Sequence, residues 1–335
     1  MTRYDNVSGL RIVLPACQPI SQPKAGRAVT SENKAKVLVT GATGMQGGAA
    51  VQALLRAGHP VTAFVRNPSS AAAQALAEQG VALATGDLND AASLEAAGAG
   101  HDAVFSVQAG VNPADPGAEP RQARNIATAA KRAGVTQIIH TSVSSTGWRS
   151  LHPDVEVTDP LMKAYWDEKE AAEDAIRQSG LDHWTIFKPA LFMENYLRPK
   201  LDYQYPDLPQ GKLVTATSPQ TVLALINTDD FGAAVAAAVA DPGTFHEAEI
   251  DLAGDALTTT DIADTLTKAA GREITAVYVS PEEQAQRLSA SAAYSQIWND
   301  LVGYPARPHH AARYGLTTTT LEQWAAKQDW HTPAA

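Results

Sequence analysis

A short apolar run, Lys36-Val37-Leu38-Val39, leads into Thr40-Gly41-Ala42-Thr43-Gly44-Met45-Gln46-Gly47-Gly48, and an alanine-rich helical pattern follows at once. Glycines at positions 41, 44 and 47 suit the capture of a pyrophosphate. The first permits a tight turn, and the second lets backbone come close to the phosphates. The third lets helix and strand pack tightly, so that the helix N-terminus, with Thr43, Met45 and Gln46 around it, offers free N–H groups to the anion. Strand, glycines and helix stand in the order a dinucleotide site requires. The second apolar run, Val61 to Val65, closes with Arg66-Asn67-Pro68. An enzyme that uses NAD carries an acid near this strand end, roughly 20 residues beyond the glycines, for the ribose 2′-hydroxyl. Here the residue is Arg66, whose guanidinium pairs bidentately with phosphate. NADP(H) is therefore expected over NAD(H). The plainer alternative is a solvated arginine after a strand.

Two further residues could do chemistry together. Tyr165 and Lys169 lie four apart in a helical pattern, one turn from each other, so both can face one cleft. Ser142, Ser144 and Ser145 follow a strand end, where ligands sit in open parallel sheets, and Gln108 closes another strand. Other candidates favour structural readings. His140 lies inside a strand and reads as a core histidine. His309 and His310 lack carboxylates at metal spacing and read as surface, so no metal site is expected. Asp229-Asp230 suits a helix N-terminus. Phe192, Met193 and Tyr196 either line an apolar pocket or fill the core. Trp324 and Trp330 read as anchors for the last helix.

The elements that must position these residues alternate along the chain. Helix is expected over Gln46–Ala57, with Gly58 as its left-handed cap, and over 91–97 with Asp90 as N-cap, 121–133 and 160–179. Strands are expected at 81–84, 103–107, 135–140 and 183–188. That alternation predicts an α/β fold, a doubly wound parallel sheet with helices on both faces. Beyond Pro189, Phe192 to Gly211 reads as an aromatic, proline-punctuated loop facing substrate. Helices follow at 231–240, 260–270 and around Glu282 and Leu321, with strands at 250–252 and 274–279. Residues 35–190 are thus the nucleotide half and 191–335 its cover. Residues 1–34 scatter three prolines without amphipathic period and read as a disordered leader.

Composition sets outer bounds. The chain has 335 residues, 44% hydrophobic and 19% charged, which is ordinary for a globular protein. A formal charge of −10 argues against an electrostatic grip on nucleic acid or an anionic membrane. The single cysteine, Cys17, excludes an intrachain disulfide and suits a cytoplasmic setting.

Taken in order, these segments resemble the NmrA-like branch of the atypical short-chain dehydrogenases/reductases. The resemblance rests on Thr40–Gly48, Val65-Arg66-Asn67-Pro68 and Gly86-Asp87-Leu88-Asn89-Asp90. It continues through Tyr165-Trp166-Asp167-Glu168-Lys169, Lys188–Asn195, Asn227–Gly232 and Leu321-Glu322-Gln323-Trp324. It implies a Rossmann-type core binding NADP(H), with Asp87 and Leu88 beside the adenine, and a smaller C-terminal α/β portion closing the substrate cleft. Family members divide between NAD(P)H-dependent reductases and cofactor-binding regulators that act through a protein partner. Related dehydrogenases use Tyr-x-x-x-Lys: the lysine bonds the nicotinamide ribose and lowers the tyrosine pKa, and a serine orients the carbonyl. The corresponding residues are Tyr165, Lys169 and one of Ser142, Ser144 and Ser145. The resemblance thus implies hydride transfer to a small carbonyl, quinone or enone, or else a non-catalytic NADP(H) sensor.

Overall fold

The computed structural model describes residues 34–330. The leader expected over residues 1–34, Cys17 included, therefore lies outside the described residues except for Lys34.

Strand β1 (Val37–Val39) feeds helix α1 (Met45–Arg56), and the alternation continues with β2 (Val61–Val65), α2 (Ala71–Glu78), β3 (Ala82–Thr85), α3 (Ala91–Gly98) and β4 (Ala103–Ser106). Then come α4 (Ala118–Arg132), β5 (Gln137–Thr141), the short α5 (Trp148–Leu151), α6 (Pro160–Arg177) and β6 (His183–Pro189). Asp90 caps α3 by accepting the Ala92 N–H, and Asp159 caps α6 by accepting that of Met162. Gly58 stands in the left-handed region just past α1.

A seven-stranded sheet of order β10-β6-β5-β4-β1-β2-β3 is parallel throughout, where β10 is Ala248–Leu252. Val37 of β1 lies between Val61 on one neighbour and Ala103 on the other. The winding reverses between β1 and β4, and a crevice opens there beyond the carboxyl ends of the strands. Side chains alternate across the sheet. Val37 and Val39 join the core under α1, while Leu38 points to the opposite core with Val104, Ile138 and residues of α4 and α6.

After residue 190 the chain builds two small sheets and then returns to the large one. β7 (Leu191–Phe192) precedes α7 (Leu201–Gln204), β8 (Lys212–Thr215), β9 (Val222–Ile226) and α8 (Thr228–Ala240). Next are β10, β11 (Asp255–Thr258), α9 (Thr259–Ala270), β12 (Thr275–Tyr278), α10 (Pro281–Arg287), α11 (Ala290–Leu301), α12 (Pro308–Ala312) and α13 (Leu321–Ala325). The small sheets have orders β11-β9-β7 and β12-β8. The last strand of the Rossmann sheet, β10 beside β6, is thus drawn from beyond residue 190. Helix α8 lies against α1, close enough that a Cβ on Gly232 would stand 2.4 Å from the Ala49 carbonyl oxygen.

Two local readings need correction, and a third gains a partner. Phe192 to Gly211 is not a plain loop, because it holds β7, α7 and two 3₁₀ turns, and Met193 and Tyr196 are fully buried in the core of the small sheets. Helix α4 starts three residues before the expected Arg121, at Ala118. Asp230 sits in the first turn of α8 as expected, but also accepts the Thr319 N–H and hydroxyl, tying the C-terminal segment down.

Candidate active site

The turn after β1 is built around one close approach. Gly41 has φ +58°, and a Cβ on Gly47 would stand 2.2 Å from the Gly41 carbonyl oxygen, so only glycine lets α1 begin there. Gly44 is the N-cap of α1 and brings no side-chain hydrogen bond, so the first N–H groups of the helix are left for a ligand. The floor of the turn is pinned by Thr40, whose hydroxyl bonds the Phe105 and Val107 carbonyls and accepts the Val107 N–H.

A cleft of about 990 Å³ lies over this turn. Its walls include Gly41, Thr43, Gly44, Met45, Gln46 and Gly47, then Arg66, Asp87, Leu88, Gln108, Tyr165 and Lys169. Every residue the sequence suggested for cofactor contact borders this one space. Arg66 follows β2 and Asp87 follows β3, on the far side of β1 from β4 and β5, so the cleft runs across the switch point. Arg66 is exposed, and no carboxylate among the described residues takes its charge. Asn67 and Ser70 stand beside it. Gln108 is buried with its Nε2 donating to Ser106, while its Oε1 has no partner. An uncapped helix start and a free guanidinium form a donor set for phosphate, and the orphaned Gln108 oxygen accepts from a hydroxyl or amide N–H, which together fit a phosphorylated dinucleotide.

A second cavity, about 180 Å³, adjoins the cleft, and the two share Met45, Gln46, Tyr165, Lys169 and Lys200. Ser142, Val143, Leu191, Phe192, Asn195 and Tyr304 add to its wall, which holds no carboxylate. Phe192 thus has both roles left open for it, since it packs in the core and faces the cavity.

Tyr165 and Lys169 do face one space. The Lys169 ammonium lies 5.7 Å from the Tyr165 ring centre. The tyrosine is braced by an aromatic cluster in which Trp166 and Trp298 approach to 5.0 Å and Trp148 and Trp298 to 4.8 Å. Lys169 also donates to Glu119 Oε1 at 2.6 Å, a buried carboxylate whose Oε2 has no partner. Burial pushes the Tyr165 phenol above its usual range, and the Glu119 charge pushes it further. This is the reverse of the lowering expected from Lys169, and burial is its main cause. Burial, and then the Lys169 charge, lower His140 to about 3. The histidine is a core residue as expected, with Nδ1 3.2 Å from the Ser106 hydroxyl and Nε2 unpartnered.

The three serines are all engaged. Ser142 borders the small cavity but donates its hydroxyl to Glu173 Oε1 at 2.6 Å. Ser144 donates to Asp251 Oδ1 at 2.7 Å, and Ser145 to the Gly303 carbonyl. Ser142 therefore presents lone pairs and no proton to the cavity. Glu173 is itself held by Arg177 at 2.7 Å and Lys188 at 3.2 Å, and both cations also reach Glu249 at 2.6 Å.

Sequence reasoning missed Glu119, Asn195 and Lys200. Asn195 is buried with its Oδ1 unpartnered and borders the small cavity. It lay inside a quoted motif, and its polarity within an aromatic run was the available signal. Glu119 had none, since its partner is 50 residues away. His309 is exposed and His310 half-buried on α12, away from both cavities. Trp324 is buried and donates to Glu194, anchoring α13.

The family model of the NmrA-like family matches residues 33–305. The chain belongs to the NmrA-like family. It is 31% identical to quinone oxidoreductase 2 of Escherichia coli (strain K12) over 258 residues, covering 76% of this chain and 81% of that protein. It is 32% identical to the NAD(P)H azoreductase of Xenophilus azovorans over 259 residues, covering 76% and 80%. The crystal structure of the NADPH-dependent quinone oxidoreductase QOR2 of Escherichia coli, complexed with NADPH, superposes with a TM-score of 0.68 at 28% identity, covering 87% and 98%. As an NmrA-like chain it carries the family's parallel sheet and flanking helices in full. Among the described residues, no helix is long and apolar enough to cross a membrane.

Proposed function

We propose that this protein is an NADPH-dependent reductase of small carbonyl acceptors, quinones foremost, working in the cytoplasm. The observation that carries the reading is the continuity of the two cavities. The glycine turn and Arg66 border one, Tyr165 and Lys169 stand where it opens into the other, and the second is small, with Leu191 and Phe192 facing it beside the polar groups of Ser142 and Asn195. NADPH bound in the cleft supplies a hydride.

The chain's own groups do the rest. Gly41, Gly44 and Gly47, with Thr43, Met45 and Gln46, present backbone N–H groups to the pyrophosphate. Arg66 reads the 2′-phosphate, Asp87 and Leu88 border the adenine, and Gln108 offers its free Oε1 further along. Lys169 is held by Glu119 at the junction of the cavities and bonds the ribose. Tyr165 delivers the proton to the acceptor oxygen, and a phenol held above its usual range remains protonated for that step. Asn195 takes the orienting part that the engaged serines leave open: turned so that its Nδ2 faces the cavity, its amide N–H donates to the acceptor oxygen. The names of the two relatives, a quinone oxidoreductase and an azoreductase, support this substrate class.

The test is NADPH oxidation by the purified protein against quinones, aldehydes and enones, with NADH in parallel. Turnover that is faster with NADPH, and lost in Lys169→Ala and Tyr165→Phe, supports the reading. Tight NADPH binding without turnover overturns it in favour of a cofactor sensor acting through a protein partner.

A further inference from the structure

The small cavity contains a positive charge that nothing around it neutralises. Lys200, at the start of α7, borders both cavities and is half-buried. The other cation there, Lys169, has its charge met by Glu119 at 2.6 Å. Lys200 has no such partner among the described residues. The acids nearest it in the chain are engaged elsewhere: Asp202 accepts from Arg198 at 2.8 Å, and Glu194 accepts from Thr228 and from Trp324. No Asp or Glu stands in the cavity wall, and the chain as a whole carries a net charge of −10. An unpaired ammonium beside the side chains of Leu191, Phe192 and Tyr304 is a recognition element for an anion attached to an aromatic body.

Resting on the reductase reading, we propose that Lys200 selects acceptors bearing an anionic substituent, a carboxylate or sulfonate on the aromatic ring. The reducible end of such a molecule meets Tyr165 and Asn195, its ring lies against Phe192, Leu191 and Tyr304, and its anion reaches Lys200. The cofactor phosphates are the competing anion. They are already served by the glycine turn and Arg66; Lys200 borders their cleft as well, but it is the small cavity, which does not include Gly41, Gly44 or Gly47, that otherwise lacks a cation free of a carboxylate.

The experiment compares 1,2-naphthoquinone with 1,2-naphthoquinone-4-sulfonate for the wild type, Lys200→Met and Lys200→Glu, at saturating NADPH. The quantity read is the ratio of kcat/KM for the sulfonate to that for the neutral quinone. The ratio is expected to favour the sulfonate in the wild type, to fall about fivefold to tenfold in Lys200→Met, and to fall further on charge reversal. Added salt narrows the wild-type preference. A ratio that is the same in all three proteins overturns the proposal. A raised KM for NADPH with an unchanged ratio also overturns it, by assigning Lys200 to the cofactor. If the wild type reduces neither quinone, the reductase reading itself has failed.

Discussion

Lys169 and Glu119 meet at 2.6 Å with the lysine 12% exposed and the glutamate 1% exposed, so the cation at the junction of the two cavities is held from behind by a carboxylate out of water. Burial raises the Glu119 carboxyl, and Lys169 only partly offsets it. Breaking such a pair strands the acid. Lys169→Ala is expected to cost about 3 kcal/mol of stability in urea denaturation, whereas the paired change Lys169→Met with Glu119→Leu recovers most of that. Equal losses in the two proteins would show that the pair is not coupled.

Arg66 has no carboxylate partner among the described residues, and its removal should be felt by one cofactor only. Arg66→Ala is expected to weaken NADPH about tenfold to a hundredfold, the worth of a charge-assisted contact. NADH should be unaffected. Fluorescence titration with both cofactors checks this, and parallel losses for both would remove Arg66 as the phosphate reader.

Two glycines of one turn should fail in opposite ways. A Cβ at Gly47 would stand 2.2 Å from backbone, so Gly47→Ala is expected to cost about 2–3 kcal/mol in thermal unfolding. A Cβ at Gly44 meets only the Gly41 carbonyl oxygen, at 3.3 Å. Gly44→Ala should fold with little loss yet bind NADPH at least about tenfold more weakly, because the methyl stands where backbone must approach phosphate.

Acid should destabilise the fold in two limbs. His140 titrates at about 3 in the fold and from 6.5 otherwise, so between those values the unfolded chain binds the extra proton and stability falls as pH falls. Glu249 is pushed up by burial, but hydrogen bonds from Arg177 and Lys188, with their charges, outweigh this and hold it at about 2, against an ordinary 4.5. Its contribution is present above 4.5 and lost as pH falls toward 2. Glu119 and Asp251, both raised, work in the opposite sense and temper the decline. Melting of His140→Asn from pH 7.5 to 4 should show a flatter upper limb than the wild type, by up to about 1.4 kcal/mol per pH unit. Glu249→Gln should flatten only the limb below 4.5.

Local signals were readable in the sequence, and long-range pairings were not. The glycine turn, the caps Asp90 and Gly58, and the strand-helix alternation are all set by neighbours within a few residues, and they stand where expected. Helix α2 went unread: five of the eight residues of Ala71–Glu78 are alanine, and Leu76 is its one large apolar side chain. Strand β9 was missed because its reason to be a strand is pairing with Leu191-Phe192 and Asp255–Thr258, on either side of it in the chain. The position of Ser142 could be read, but the engagement of its hydroxyl as donor to Glu173, 31 residues on, could not. Glu119 and Lys200 matter through what stands opposite them, and spacing carries no trace of that.

The return of the chain to its first sheet sets an order on synthesis. A ribosome that has reached residue 190 has made six of the seven strands, yet β6 still has an open edge awaiting residues 248–252. Ala50, Val51 and Leu54 of α1 lack the α8 cover that residues 228–240 bring. A chain stopped early therefore displays an unpaired strand and a bare apolar helix face, both of which invite aggregation or capture by quality control. The helix whose first turn faces the cleft is also the one that waits for this cover, so the cleft gains its last support only once residues 228–240 have been made.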